Sequence, residues 1–397
     1  MIKFPKGYQA CGFHCGIKKM KDDLTVVVSD VPAAAAAVYT NNLFQAAPLQ
    51  VTKSHLAEEG KAQAIVVNSG VANAAMGKQG IADAEAVAQA LAETFSIPQQ
   101  YTIVASTGVI GMPLPVDKIN AGIEKAKDVL RPLAESAEAA SRGIMTTDTV
   151  PKTANASISI DGCEIRFWGM CKGAGMIHPN MSTMLGFVFS DAAIESSLLQ
   201  KALSDAIGDS FNMISVDGDT STNDMVTVLA NGQAENSVIT DPDSEAYTAF
   251  SDALKEVCIS LAKQIVADGE GATKLFAVKV VNAPTTTDAK TIARAVTSSS
   301  LVKAAMYGRD ANWGRIACAA GYSGAIFDPD KMDIFIGDLL VAQNGQGLAF
   351  DEDKALEILS KDSIDVLIDL HEGSGEAVGW GCDLTHDYVS INADYRS

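Results

Sequence analysis

The chain has 397 residues, enough for two or three domain-sized units, and is 47% hydrophobic and 20% charged, a balance suited to large packed cores. Its formal net charge is −19 and it has no dense Lys/Arg tract, which argues against nucleic acid and anionic membrane as partners. Residues 1–7 carry no apolar signal core, no run approaches transmembrane length, and the seven cysteines are an odd, scattered set, so a cytoplasmic protein with reduced thiols is expected.

In chain order, residues 64–67 and 102–105 are short β-rich runs, each closed by turn residues, Asn68-Ser-Gly70 and Ser106-Thr-Gly108. Between them, residues 81–95 carry Ala84, Val87, Ala88 and Leu91 at helical spacing, with Pro98 marking the exit. Ile119, Ile123, Ala126 and Leu130 line a second helical face before Pro132. Residues 194–207 and 245–266 read as amphipathic helices, the second opened by Asp241-Pro-Asp-Ser-Glu245. Residues 276–281, 333–336 and 364–370 read as strands. No internal repeat is present, and the polar stretch around 282–288 is the best candidate for a weak domain seam. The chain is mixed, α/β or α+β.

Several segments could carry chemistry. Residues 172–189 run from a glycine-rich, hydroxyl-bearing loop into an apolar strand, with Ser182-Thr183 at the joint. Cleavage between Ser182 and Thr183 would free the Thr183 α-amine beside its own hydroxyl, a nucleophile and base in one residue. The plain alternative is a strand edge with a Ser-Thr turn. Ser106-Thr-Gly108 is an ordinary turn or a pair of oxyanion donors, the Thr107 hydroxyl and the Gly108 N–H. Met145-Thr-Thr-Asp-Thr-Val-Pro-Lys152 is an extended edge strand capped by Asp148 or a polar pocket wall. In residues 268–274 an acid, Glu270, sits between two glycines. That suits holding an ammonium better than a phosphate, and the other reading is an exposed turn acid. Residues 217–224 look at first like a calcium loop but have Val228 where a bidentate glutamate belongs, and Cys11, His14 and Cys15 have no second ligand cluster, so no metal is expected.

Together these motifs resemble the ornithine acetyltransferase family, also called glutamate N-acetyltransferase, of arginine biosynthesis. The resemblance covers 33–49, Val67-Asn-Ser-Gly70, Ala72-Asn-Ala74, Ser106-Thr-Gly108, Met145-Thr-Thr-Asp148, Lys172-Gly-Ala-Gly-Met-Ile177, Thr183-Met-Leu185, 268–274, Asn312-Trp-Gly-Arg-Ile316 and Asn392-Ala-Asp-Tyr395. It implies a layered αββα-like sandwich similar to N-terminal-nucleophile hydrolases, with a second α/β lobe. It implies self-cleavage into an α chain of 1–182 and a β chain of 183–397, assembled as α2β2 or larger. It places the nucleophile at Thr183, the oxyanion hole at Thr107 and Gly108, and substrate contacts at Thr146, Lys172, Thr183, Glu270, Asn392 and Ser397. The implied substrates are small amino acids, with no bound cofactor; use of acetyl-CoA as a further donor is left open by the sequence.

Departures from the family pattern are Val71 for a usual asparagine, His178 for a small residue, Ser182 for alanine, Ala311 for proline and Ser397 for threonine. His178 reads first as a surface histidine and second as a change in processing or substrate preference. An amidase or aminopeptidase on a related self-processing scaffold is the competing reading, and an unprocessed binding protein is a third.

Overall fold

The structure is a computed structural model that describes residues 4–178 and 184–394. Its described strands are β1 (Tyr8–Phe13), β2 (Leu24–Tyr39), β3 (Lys61–Val71), β4 (Thr102–Val109), β5 (Lys152–Ile160), β6 (Cys163–Lys172), β7 (Leu185–Ser190), β8 (Ile214–Ser215), β9 (Met225–Ala230), β10 (Leu275–Ala283), β11 (Asp333–Ile336), β12 (Leu339–Gln343), β13 (Gln346–Gly347), β14 (Ser363–Asp369) and β15 (Gly375–Cys382). The first sheet runs β4-β3-β2-β9-β7-β6-β5, with β1 also paired to β2.

The long strand β2 joins two halves of this sheet. Its first part pairs with β1 and β3 and its last part with β9, with a register shift against β3 between Val28 and Ala33. Strand side chains alternate between faces. Ile65, Val67 and Ile103 of one half therefore share a core with Trp168, Phe187 and Phe189 of the other. Their neighbours Val66 and Val104 point the opposite way and pack with Ala84, Val87 and Leu91 of helix Gly77–Phe95 and with Ile119 and Ile123 of helix Val116–Val129. On the outside of the other half, Val188, Val226 and Val228 pack with helices Ser196–Gly208 and Glu245–Ala267. The order is helices, half-sheet, half-sheet, helices, the expected αββα layering. The Trp168 and Phe189 rings stack with centroids 4.9 Å apart at the centre of the inner core.

The second sheet runs β13-β12-β11-β14-β10-β15-β8. Its partly alternating strand β14 buries Ile364, Val366 and Ile368 and leaves Ser363 and Asp365 exposed. Helix Thr286–Ser298 covers β10 and β15 because Ala289, Ile292, Ala293 and Val296 form one apolar stripe, and Thr285 caps it by accepting from Asp288 N at 3.1 Å. The side chains of this lobe and of the two outer helices form one continuous core. The predicted helices and strands occur at their expected places within a few residues.

Two sequence expectations need correction. Neither Asn68-Ser-Gly70 nor Ser106-Thr-Gly108 closes its strand: β3 continues to Val71 and β4 to Val109, in parallel register Ser69 to Thr107 and Gly70 to Gly108, with an irregularity at Val71. The reason is mutual. Gly70 and Gly108 adopt φ of 116° and 130°, which lets the two backbones close on each other, and Asn68 holds the bulge by donating to Val71 O at 2.9 Å.

A Cβ at residue 108 would lie 2.3 Å from the Gly70 carbonyl carbon, whereas at Gly162, also of positive φ, it would meet nothing within 4 Å. Gly108→Ala should therefore lose about 3 kcal/mol of stability or more and Gly162→Ala about 1 kcal/mol, measured by denaturant unfolding. Equal losses would mean that backbone strain alone, not the approach of β3, requires glycine at 108.

Candidate active site

A cavity of about 260 Å³ opens where β4 and β6 end and β7 begins, and its wall includes Thr107, Gly108, Thr146, Thr147, Lys172, Glu270 and Asn392. Each side chain is delivered by a different piece of backbone. Thr107 and Gly108 come from the bulged end of β4, and Lys172 is the last residue of β6, paired with Leu185 at the start of β7. Glu270 sits in the turn after helix Glu245–Ala267, where its N–H donates to Ala174 O at 2.8 Å. Asn392 lies on helix His386–Asp394 and donates to Glu270 Oε2 at 2.8 Å.

The Lys172 ammonium donates to Thr107 Oγ1 at 3.3 Å. That fixes one lone pair of the hydroxyl and leaves its proton to be donated elsewhere. Burial pushes the Lys172 pKa below its ordinary value, against the pull of the Asp148, Asp224 and Glu270 carboxyls.

Behind Lys172 lies an ion cluster that sequence reading did not find. Asp148 Oδ1 accepts from Lys152 Nζ at 2.6 Å and from Gly173 N at 2.7 Å, and its Oδ2 accepts from Thr146 N at 2.9 Å. Lys152, wholly buried, also donates to Asp268 Oδ2 at 2.5 Å, and Thr149 donates to Asp268 through both its N–H and its hydroxyl. Burial would raise the Asp148 pKa, but the Lys172 and Lys152 charges overcome it and hold the carboxyl at about 2. Thr146 and Thr147 thus form a pocket wall and not an edge strand. Asp148 pulls the segment inward, and β5 begins only at Lys152.

Asp217, also missed, clamps the far side. Its Oδ2 accepts from Met176 N at 2.6 Å and from the Tyr388 hydroxyl at 3.2 Å, and its Oδ1 from Ile177 N at 2.9 Å. The segment's acidic, Asx-rich composition is the available signal, and in sequence it resembles only an incomplete calcium loop. Its backbone and side-chain bonds serve the loop 176–177 instead. His178 is half-buried, not a surface residue. Its Nδ1 lies 3.1 Å from Ser215 Oγ, and burial followed by the Arg294 charge lowers its pKa.

Six of the sequence-predicted residues, Thr107, Gly108, Thr146, Lys172, Glu270 and Asn392, meet at this one cavity. Ser182, Thr183 and Ser397 lie outside the described residues. The described chain resumes at Met184, which itself lines the cavity. All seven cysteines are free thiols, and among the described residues no three of His, Cys, Asp and Glu converge as a metal site. No helix among them is long and apolar enough to cross a membrane.

The ArgJ family model matches residues 9–397. The chain belongs to the ArgJ family. The arginine biosynthesis bifunctional protein ArgJ of Symbiobacterium thermophilum is 52% identical over 399 residues, spanning 100% of this chain and 98% of that one. A crystal structure of the ArgJ protein from Bacillus halodurans, 48% identical, superimposes with a TM-score of 0.50 and covers 52% of this chain and 96% of the solved chain. The structure of ornithine acetyltransferase complexed with ornithine from Mycobacterium tuberculosis, 35% identical, covers 44% of this chain and 93% of that chain with a TM-score of 0.40.

The ion cluster sets a pH dependence. The Asp148 pKa falls from an ordinary 3.8 to about 2 on folding, so its stabilisation is complete above pH 3.8 and is lost as pH drops toward 2. Asp148→Asn should remove that acid limb and leave Lys152 with a single carboxylate, costing about 3–5 kcal/mol near neutral pH. Thermal unfolding from pH 2 to 7 tests both. A variant that keeps the wild-type acid limb would place the titrating group elsewhere.

Proposed function

We propose that this chain moves an acetyl group from N2-acetylornithine to L-glutamate, giving L-ornithine and N-acetyl-L-glutamate, through an acetyl ester on Thr183. The chain is an acyltransferase of arginine biosynthesis, with small amino acids as substrates. The observation that carries the detailed reading is the convergence of Thr107, Gly108, Lys172 and Glu270 on one cavity beside the start of β7.

In this reading, self-cleavage between Ser182 and Thr183 yields chains 1–182 and 183–397. The freed α-amine, with a pKa near ~8, takes the Thr183 hydroxyl proton as the oxygen attacks the acetyl carbonyl. The Thr107 hydroxyl, whose lone pair Lys172 already occupies, and the Gly108 N–H donate to the developing oxyanion. Lys172, with Thr146 beside it, holds the α-carboxylate common to both substrates. Asn392 satisfies one oxygen of Glu270, and the carboxylate receives the terminal ammonium of ornithine. Ser397 adds a hydroxyl from the chain's end. The ester is then cleaved by the glutamate amine.

The chemistry uses only the chain's own groups and calls for no bound cofactor. Acetyl-CoA is proposed as a second donor, consistent with the bifunctional character named for the relatives. Two-chain processing is consistent with the Bacillus halodurans structure, in which about half of this chain accounts for nearly all of the solved chain. An α2β2 assembly or larger and a cytoplasmic location complete the proposal.

Intact mass measurement of active protein should show two chains that meet at Ser182 and Thr183, and Thr183→Ala should give an uncut, inactive chain. Full activity from a single chain would end the threonine-amine mechanism.

The two half-reactions separate the substrate contacts. Glu270→Gln should slow acetylation of Thr183 by acetylornithine at least about tenfold, the worth of a charge-assisted hydrogen bond, while sparing deacylation by glutamate. Equal losses in both halves would show that Glu270 reads a group the two substrates share.

A further inference from the structure

The cavity contains one carboxyl that this mechanism leaves unused. Asp224 is 2% exposed, lines the cavity together with Lys172 and Thr107, and its buried Oδ2 has no hydrogen-bond partner among the described residues. Its backbone is firmly placed. The Asp224 carbonyl accepts from Thr40 N at 3.0 Å, and the neighbouring Asn223 side chain donates to Ala72 O at 2.6 Å and Ser106 O at 2.8 Å. Strands β7 and β9 run parallel with Leu185 opposite Met225, so Asp224 stands in register with Met184, the residue before β7. The nearby carboxylates are occupied. Both oxygens of Asp148 and of Asp217 accept protein hydrogen bonds, and Glu270 takes the Asn392 amide.

Acetyl transfer from an amide to a hydroxyl does not conserve protons within each half. In the first half the amide C–N bond breaks, the ester C–O bond forms and the amine leaves as an ammonium. The nitrogen then gains two protons, of which the threonine hydroxyl supplies one. In the second half the incoming ammonium loses two protons as its nitrogen becomes an amide, and one of them returns to the threonine oxygen. One further proton is therefore consumed in the first half and released in the second.

We propose that Asp224 holds this proton: a carboxylic acid in the free enzyme, it protonates the leaving amine, stays a carboxylate throughout the acetyl-enzyme, and recovers a proton from the glutamate ammonium. The proposal rests on the threonine acyl-transfer reading above. Burial keeps the Asp224 pKa well above the usual carboxylate range, while the Lys172 charge and hydrogen bonds from Ser221 favour ionisation. Among the described residues that line the cavity, the charged side chains besides Asp224 are Lys172 and Glu270, and Asp148 and Lys152 act on Lys172 from behind. Burial favours the neutral form of a carboxyl so placed, and an ammonium arriving beside it favours the anion.

Asp224→Asn keeps the shape and removes the proton. In single turnover with acetylornithine under weak buffering, followed with a pH-indicator dye, processed wild-type enzyme should form its acetyl ester without net proton uptake. The variant should take up one proton per acetyl group and acetylate roughly a hundredfold more slowly. The infrared difference spectrum of acetyl-enzyme minus free enzyme should show loss of an un-ionised carboxylic-acid band in wild type, shifted by 13C-aspartate labelling and absent from the variant. Asp224→Glu should restore the band.

Stoichiometric proton uptake by wild type, or no loss of a labelled carboxylic-acid band, overturns the role of Asp224. If no acetyl group appears on the chain beginning at Thr183, the underlying reading fails instead. If Asp224→Asn does not self-process, the labelled wild-type spectrum decides alone.

Discussion

The arrangement of this site depends on one buried carboxylate. Asp148 organises its own segment, through Thr146 N and through Lys152 at the start of β5, and ties it to the glycine-rich loop 25 residues on through Gly173 N. Its charge also acts on Lys172, the residue next to Gly173. Two lysines and a carboxylate in a low-dielectric interior are tolerable only when the opposite charges are close and their hydrogen bonds are met. Here both conditions hold for Asp148, and Asp268 supplies the second counter-charge for Lys152. The consequence is rigid placement of Lys172 and of the backbone after it.

From that anchor the geometry propagates outward. Lys172 reaches Thr107 because β3 and β4 press together at two glycines and carry the strand end past its expected turn. On the opposite wall Asp217 holds the backbone of Met176 and Ile177 and also the hydroxyl of Tyr388. Helix His386–Asp394 has no buried residue, so these polar contacts and the Asn392–Glu270 bond, not apolar burial, hold it at the cavity. Gly271 allows the fit, since a Cβ there would lie 2.6 Å from Tyr388 N.

The two lobes serve the site unequally. The αββα layers supply Thr107, Gly108, Lys172 and the strand that begins beside the cavity, and so provide the groups assigned to bond making. The second sheet leads through β15 into the helix that bears Asn392, and the turn before β10 bears Glu270. These are the groups assigned to reading the substrate's side chain. A shared apolar core between the lobes keeps the two sets in fixed relation.

Much of this was legible in the chain itself. Periodicity located the helices and strands because an apolar stripe or an alternating run is a local property, as in Ala289, Ile292, Ala293 and Val296 or in β14. Motif order identified the family and named six residues that the fold brings to one cavity. What sequence could not supply was the meaning of its acids. Asp148, Asp217, Asp224 and Asp268 are alike as letters, yet one anchors an ion cluster, one clamps a loop, one has an oxygen in the cavity without a partner among the described residues and one neutralises a buried lysine. Those roles follow from burial and from partners as many as 171 residues away, such as Tyr388 for Asp217. Secondary structure and family membership were therefore written in the sequence, where near neighbours suffice. Tertiary structure alone decided which carboxyls are charged, which are paired and which remain available, because the energy of a charge is set by the three-dimensional surroundings that remove it from water.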